Sequence, residues 1–424
     1  MPAAPGAPNP SGTSLVATDG MAWLEAPHAS PYLGAIMTKL PALFALFALC
    51  GAIVELAADP QPPVTRARTP VRLPDIPGYV TLKGDFHIHT VFSDGLVWPT
   101  VRADEAWREG LDAIAITDHI EYQPHKEDVS TNHNRAYDLA RGAGADLDLI
   151  VVRGSEITRQ MPPGHLNAIF LTNSTLLAVT NWHDTIAAAH AQGAFIFWNH
   201  PGWSAQTTNG LVLWYPEHTQ LLEAGMLHGI EVVNGREYYP EAHRWAIEKK
   251  LTLMSNSDIH APLNLDYHVH DGDHRPLTLV FATDRSPAAL KEALFARRTA
   301  VYSANRLIGD ERFLKPIFEH SVGFTRTNVT LQSTQRILLQ LHNASDLDYE
   351  LERAAESDEV STPSRLRLPA GKTVLFSVQS KSKTADGTRP VKPSYRVTNL
   401  LVGPDQPLEV SLPLQVTFTP APAK

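Results

Sequence analysis

The sequence predicts an α/β fold, a barrel or open sheet of parallel strands, followed by a smaller antiparallel β-sandwich. Two textures carry this reading. From Tyr79 to about Ser303, short apolar runs alternate with amphipathic segments, as parallel strands joined by helical crossovers require. After about Leu307, apolar and polar residues alternate with period two between turn signals, as in half-buried antiparallel strands. A third regularity concerns chemistry: histidines and carboxylates recur at the ends of the predicted strands, where barrel enzymes place their active sites.

Taken in order, residues 1–36 are dominated by Pro, Ala, Gly and Ser and are set aside as a disordered or misassigned upstream extension. Met37 and Lys39 precede an apolar run, Leu40 to Val54, that is too short for a comfortable membrane span. It reads as a signal peptide over 37–58, with Leu56, Ala57 and Ala58 near the cut. The protein is therefore expected in the periplasm or outside the cell, with no stable membrane insertion once the leader is gone. A retained N-terminal anchor is the alternative. Residues 59–78, rich in Pro and Arg, read as a linker.

The catalytic region is assigned to 79–306. Apolar runs at 81–89, 113–119, 147–154, 167–172, 195–200, 229–234, 251–258 and 277–282 alternate there with amphipathic segments such as 100–110, 184–193, 241–250 and 287–298. The β-rich region is assigned to 307–424. Ile337, Leu339 and Leu341 alternate with polar residues, as do Leu347, Tyr349 and Leu351. Pro369-Ala370-Gly371 then separates Leu366 and Leu368 from Val374–Val378, and Val410–Phe418 closes the chain.

Composition narrows the function. The chain has 424 residues, 43% of them hydrophobic, enough for a large core and two or three domains. With 36 Lys and Arg against 45 Asp and Glu, the net charge of -9 is a poor footprint for coating nucleic acid or anionic lipid. The single cysteine, Cys50, excludes a disulfide framework and Cys-rich metal sites. Any metal must be held by nitrogen and oxygen, and the 19 histidines crowd into the middle of the sequence.

The joint pattern of these residues is what carries the chemistry. His87-Ile88-His89 puts two imidazoles on one face of a strand. Asp94 follows in a turn with Gly95. Thr117-Asp118-His119 ends an apolar run, Gly154-Ser155-Glu156 ends another, and Gly164-His165 precedes the next. Asn199-His200-Pro201 follows the aromatic Phe195–Trp198, and Ser257-Asp258-Ile259-His260 repeats the two-residue spacing.

These motifs resemble those of the PHP (polymerase and histidinol phosphatase) superfamily in order and spacing over about 80–303, with no ligand position missing. The layout looks more specifically like the Sb-PDE group of phosphodiesterases. The resemblance implies a distorted (β/α)7 barrel, to which the antiparallel β-sandwich is appended. It also implies three metal ions. His87, His89, Glu156 and Asp258 would hold the first, with Glu156 bridging to a second at His165 and His200. Asp94, His119 and His260 would hold the third. Such a site, with Glu156, Asp258 and Asp94 as its central carboxylates, would ionise water near neutral pH to attack phosphorus. Six imidazoles and three carboxylates suit Mn2+, Zn2+ or Fe2+ better than Mg2+ or Ca2+.

Around this set, Asp118 and Asn199 are candidates to orient imidazoles. Arg159 is a candidate phosphate grip, and Trp203, Tyr238 and Tyr239 could line a pocket for an organic substituent. His125, His268, His270 and His274 are placed in loops near the mouth. Because only Arg159 supplies a cation within the motif segments, a small singly charged phosphodiester is the favoured substrate. A phosphomonoesterase of histidinol-phosphatase type is the alternative. So is a non-catalytic exported metal-binding module. An amidohydrolase-like site usually bridges its ions with a modified lysine, and no lysine ends a predicted strand.

Overall fold

The computed structural model describes residues 67–207 and 211–422, so the extension and leader readings for 1–58 lie outside the described residues. The last part of the stretch read as a linker is folded. Val71 and Ile76 are buried, Arg72 pairs with Asp346 at 2.7 Å, and Thr69 N–H donates to Arg108 O.

Among the described residues, seven strands form the ring of the catalytic region: β1 (Val80–Asp85), β2 (Ala113–Ile116), β3 (Ile150–Ile157), β4 (Leu166–Ile169), β5 (Phe195–Trp198), β6 (Gly229–Asn234) and, beyond the short β7 (Glu237–Tyr238), β8 (Thr252–Asn256). They pair in the order β1-β2-β3-β4-β5-β6-β8. The ring closes between β8 and β1: Asp258 N–H donates to His87 O (2.9 Å), His89 N–H donates to Ile259 O (3.1 Å), and Ile88 bridges Ile259 in parallel. Phe86, Ala115, Phe197, Met254 and Val280 share one apolar cluster.

Two predicted strands depart from the all-parallel expectation: the 277–282 strand pairs antiparallel with β1, and within the ring one strand reverses. β4 runs antiparallel to both β3 and β5. The cause lies in the connection, because the short stretch after Ile157 has no helix and a parallel return needs a crossover of about a dozen residues or more. The segment folds back as a hairpin instead.

The helix Pro99–Arg108 shows why the outer layer forms. Proline stands in its first turn, and Pro99, Arg102, Ala103 and Ala106 make its buried stripe at helical spacing. An arginine on that stripe is unusual, and its partners appear below.

β9 (Leu277–Ala282), β10 (Thr299–Ser303) and β11 (Arg306–Gly309) extend the sheet antiparallel from β1. The helix Glu311–Ser321 then links the two regions. Phe313 stacks on Phe281 of β9, and Phe318 meets Tyr349 edge-on.

The C-terminal region contains the expected alternating strands. β12 (Val322–Phe324), β14 (Arg336–Asn343), β16 (Val360–Ser361) and β18 (Thr373–Ser380) form one antiparallel sheet. β13 (Asn328–Gln332), β19 (Gly387–Val391) and β22 (Leu414–Thr419) form another, in which β13 and β22 are parallel. β15 (Tyr349–Arg353), β17 (Arg365–Leu368), β20 (Ser394–Gly403) and β21 (Gln406–Ser411) join the catalytic sheet, because β20 pairs in parallel with β11. The texture change near Leu307 therefore marks a seam crossed by backbone hydrogen bonds. Among the described residues no helix is long and apolar enough to cross a membrane.

Two buried histidines away from the cluster shape the acid response. Burial holds His218 and His243 down to about 4, so the folded state keeps them neutral where the unfolded chain takes up protons below about 6.5. Their contribution is complete above pH 6.5 and is lost as the pH falls towards 4, at roughly 1–2 kcal/mol each by pH 5. Replacing His243 with Gln, which does not titrate, should shrink the drop in Tm between pH 7 and pH 5. An unchanged drop in thermal melts would contradict this assignment.

Candidate metal centre

The strand ends converge. His87 and His89 leave β1 with Phe86 and Ile88 turned into the core, and both imidazoles are fully buried, with ring centroids 5.1 Å apart. The turn that returns Asp94 needs Gly95, because a Cβ there would lie 2.6 Å from the backbone of His89 and Thr90. His119 and Glu156 are joined by a parallel bridge at the ends of β2 and β3. His200 and Asp258 take positive φ, 28° and 55°, a strained backbone for non-glycine residues and one that recurs at functional sites.

The Glu156 carboxylate has two faces. Its Oε2 lies 3.5 Å from His87 Nε2, 3.4 Å from His89 Nε2 and 2.9 Å from His119 Nδ1. Its Oε1 lies 2.9 Å from His165 Nδ1 and 3.4 Å from His200 Nε2. Asp258 Oδ1 completes the first group at 3.1 and 3.0 Å from His87 and His89, whose Nε2 atoms are themselves 3.1 Å apart. Asp94 Oδ1 stands 3.4, 3.2 and 3.8 Å from nitrogens of His119, His260 and His89.

These separations fit cations. Ligand atoms about 2.0–2.1 Å from a tetrahedral ion lie about 3.3 Å from one another. Three sets bring their ligating atoms within 4.8 Å of each other: His89, Asp94, His119 and His260; His87, Glu156 and His200; and His87, His89 and Asp258. Asp94 Oδ1 and His200 Nδ1 are buried without a hydrogen-bond partner, although imidazoles surround Asp94. Nitrogen and oxygen donors in this proportion suit divalent transition metals.

Electrostatics agree with the geometry. At His87 burial opposes charge, yet Asp258, Glu231 and Glu156 hold the imidazole well above its ordinary value. Burial is likewise outweighed at His119, which Glu156 and Asp94 push up to about 10, and at His200 and His260. His89 goes the other way, to about 3, through burial and the nearby His260 and His119. Despite burial, the imidazoles hold Glu156, Asp94 and Asp258 below the usual carboxylate range. The negative field of the carboxylates at the imidazoles is the one a divalent cation would meet.

A second layer aims the imidazoles. His87 Nδ1 donates to Glu231 (2.9 Å), a fully buried carboxylate that also accepts from His200 N–H (2.7 Å), Asn234 and Asn256. Ser93 Oγ stands 3.3 Å from His89 Nδ1, Thr158 Oγ1 2.6 Å from His119 Nδ1, and Asp258 O 2.7 Å from His260 Nδ1. Each contact leaves Nε2 turned towards the cluster.

Arg102, fully buried, donates to the carbonyls of His89, Ile259, His260 and Ala261 at 2.7–3.1 Å and pairs with Glu105. Neither Glu231 nor Arg102 was singled out by the sequence reading. The only signal was a charged residue interrupting an apolar strand or a buried helix stripe.

Several expectations need correction. Asp118 binds Thr90 and Ser93, and so reaches His89 only through Ser93. Asn199 donates to Glu156 and Asn167, orienting the carboxylate and no imidazole. Arg159 is engaged by protein groups, with only its Nε left without a partner. Its guanidinium donates to Thr180 O, Val179 O and Thr185 and pairs with Glu121 at 2.8 Å, pinning the loop that leads into the helix Trp182–Ala191.

Tyr239 is buried under Gly202, with its hydroxyl on Glu237, and Tyr238 contacts His243. His274 is also buried, between Glu109 O and Arg275 O, and is no mouth residue. Trp203 does stand at the cluster, 5.2 Å from the His200 ring and 5.6 Å from that of His165.

Two substitutions test this support. Glu231→Gln should keep the fold and weaken metal affinity about 10- to 100-fold in chelator competition; native affinity would contradict its role. Arg102→Met strands Glu105 and four carbonyls, and should lower unfolding free energy by about 3–5 kcal/mol in denaturant titrations.

Comparisons with known proteins place this arrangement. An Ig-like domain family model matches residues 322–413. An uncharacterized protein of Methanocaldococcus jannaschii is 27% identical over 197 residues, 43% of this chain and 84% of the relative. A crystal structure from Bacteroides vulgatus, described as a two-domain protein containing a predicted PHP-like metal-dependent phosphoesterase, is 44% identical. It superposes with a TM-score of 0.78 over 82% of this chain and 100% of its own. A full-length match at that identity, on a chain whose strand ends gather these imidazoles and carboxylates, means that this protein belongs to the PHP-like metal-dependent phosphoesterases.

Proposed function

We propose that the chain hydrolyses small organic phosphodiesters, in the manner of the Sb-PDE group that its layout resembles. The observation that carries the diester reading is the charge around the cluster. Among the described residues, the charged partners of Asp94, Glu156 and Asp258 are all imidazoles, with no lysine or arginine. Arg159 is tied to Glu121, and Arg236 to Asp273 and Asp266 O. A monoester dianion calls for more cationic side chains than this site offers, whereas a singly charged diester does not.

In this reading His87, His89, Glu156 and Asp258 hold one ion, Glu156, His165 and His200 a second, and Asp94, His119 and His260 a third. Manganese, zinc and iron are the candidates. Such ions would acidify water and neutralise charge on the phosphoryl oxygens. The protein's own part is orientation. The two faces of Glu156 keep two imidazole sets at a fixed separation, and Asn199 and His165 fix the carboxylate's rotation. The buried Glu231 keeps His87 in one tautomer. The apolar run from Leu40 to Val54 supports an exported enzyme, and its substrate partner would be a small phosphoester, with no nucleic acid.

A panel on manganese- and zinc-loaded protein tests the proposal. Bis(p-nitrophenyl) phosphate should turn over with a higher kcat/KM than p-nitrophenyl phosphate; equal values would remove the diester preference, and activity confined to amides or lactones would remove the reading altogether. Glu156→Gln should lower kcat by at least about 100-fold and release metal measurable by elemental analysis. Full activity in that variant would show the ligand map to be wrong.

A further inference from the structure

Two aromatic rings border the cluster on different sides, and core packing does not explain them. Tyr122 lies close after His119, with ring centroids 6.2 Å apart at 64°. Trp203 lies against His200 and His165. The His119 and His165 rings are themselves 6.0 Å apart, edge-on, so Tyr122 neighbours the imidazole on the Oε2 side of Glu156 and Trp203 those on the Oε1 side.

Tyr122 is 52% exposed and Trp203 43%. Large exposed aromatics beside a polar cluster mark a binding surface more readily than a packing one. Among the described residues, neither the Tyr122 hydroxyl nor the Trp203 indole N–H has a hydrogen-bond partner. The Trp203 platform is held in place. The Trp203 backbone N–H donates to His200 O (2.9 Å), and Gly202 has no room for a Cβ, which would fall 2.5 Å from the Tyr239 ring. Leu96, 62% exposed, is tied to the cluster residue His260 by its backbone N–H on His260 O.

We infer that Tyr122 and Trp203 are specificity-determining platforms, one for each organic arm of the ester, and that the preferred substrate carries flat apolar substituents on both sides of phosphorus. The inference rests on the phosphoesterase reading for its substrate class and on the positions of the two rings for the rest. A diester centred over Glu156 extends one substituent towards His119 and the other towards His165 and His200. Each then meets an aromatic face.

The test compares bis(p-nitrophenyl) phosphate with methyl p-nitrophenyl phosphate on metal-loaded wild type, Tyr122→Ala and Trp203→Ala. For the bis-aryl ester, KM should rise about five- to tenfold in each variant, with a smaller change in kcat, and the two effects should multiply in the double variant. For the methyl ester, with one ring, only one of the two substitutions should matter. Tyr122→Phe and Trp203→Phe keep a ring and should restore the wild-type KM. Alanine variants that leave the bis-aryl KM within twofold overturn the inference.

Calorimetric binding of diphenyl phosphate and dimethyl phosphate separates this from the function itself. Wild type should prefer diphenyl phosphate about tenfold and each alanine variant less, whether or not either compound is cleaved. Equal affinity for the two would sink the platforms, while failure to hydrolyse any phosphoester would sink the proposed function alone.

Discussion

The constraint on which the rest depends is the junction where the barrel closes, between residues 85–89 and 256–260. Two H-x-H or D-x-H segments must lie side by side there with their ligands facing one opening. Backbone hydrogen bonds set the register, and the Arg102 guanidinium gathers the carbonyls of both segments. Beneath it, Asp85 accepts from Ser257 and pairs with Arg275, which is also paired with Glu109. All three charges are fully buried. The two carboxylates share one guanidinium, burial pushes the Asp85 carboxyl above its usual range, and loss of Arg275 would leave both without a cation in a low dielectric.

That rigidity explains how six imidazoles can crowd together in a folded chain. Four of them have Nδ1 held by a carboxylate, hydroxyl or carbonyl, which fixes the ring orientation with Nε2 turned inward. The strained backbone at His200 and Asp258 aims two more side chains into the same space. The raised His87, His119, His200 and His260 and the depressed Glu156, Asp94 and Asp258 show how strongly these neighbouring groups act on one another. The site is thus arranged in advance for divalent charge.

The β-rich region is integral to this arrangement. β20 pairs with β11, and the helix Glu311–Ser321 packs aromatics on β9 and on Tyr349. The Ig-like domain match to 322–413 therefore describes a module of which β15, β17, β20 and β21 are continuous with the catalytic sheet.

Much of the site was legible because its signal is local and periodic. The two-residue spacings at His87/His89 and Asp258/His260, and polar residues ending apolar runs at His119, Glu156 and His200, follow directly from strand geometry. The same alternation foretold the strands of the C-terminal region. What escaped were partners far apart in the chain: Glu231 with His87, Arg102 with Ile259 and His260, Arg159 with Glu121, and Tyr239 under Gly202. A lone arginine or tyrosine near a motif reads the same whether it meets a ligand or a neighbouring loop.

The sequence by itself therefore determined which side chains end the strands and which face they share, because periodicity is a property of the local backbone. Only the tertiary structure decided that β4 reverses, that Arg159 and Tyr239 turn to packing, and that Glu231 and Arg102 hold the ligands. Those outcomes depend on which distant groups meet once water is excluded, and burial leaves a polar group no alternative to the partner the fold supplies.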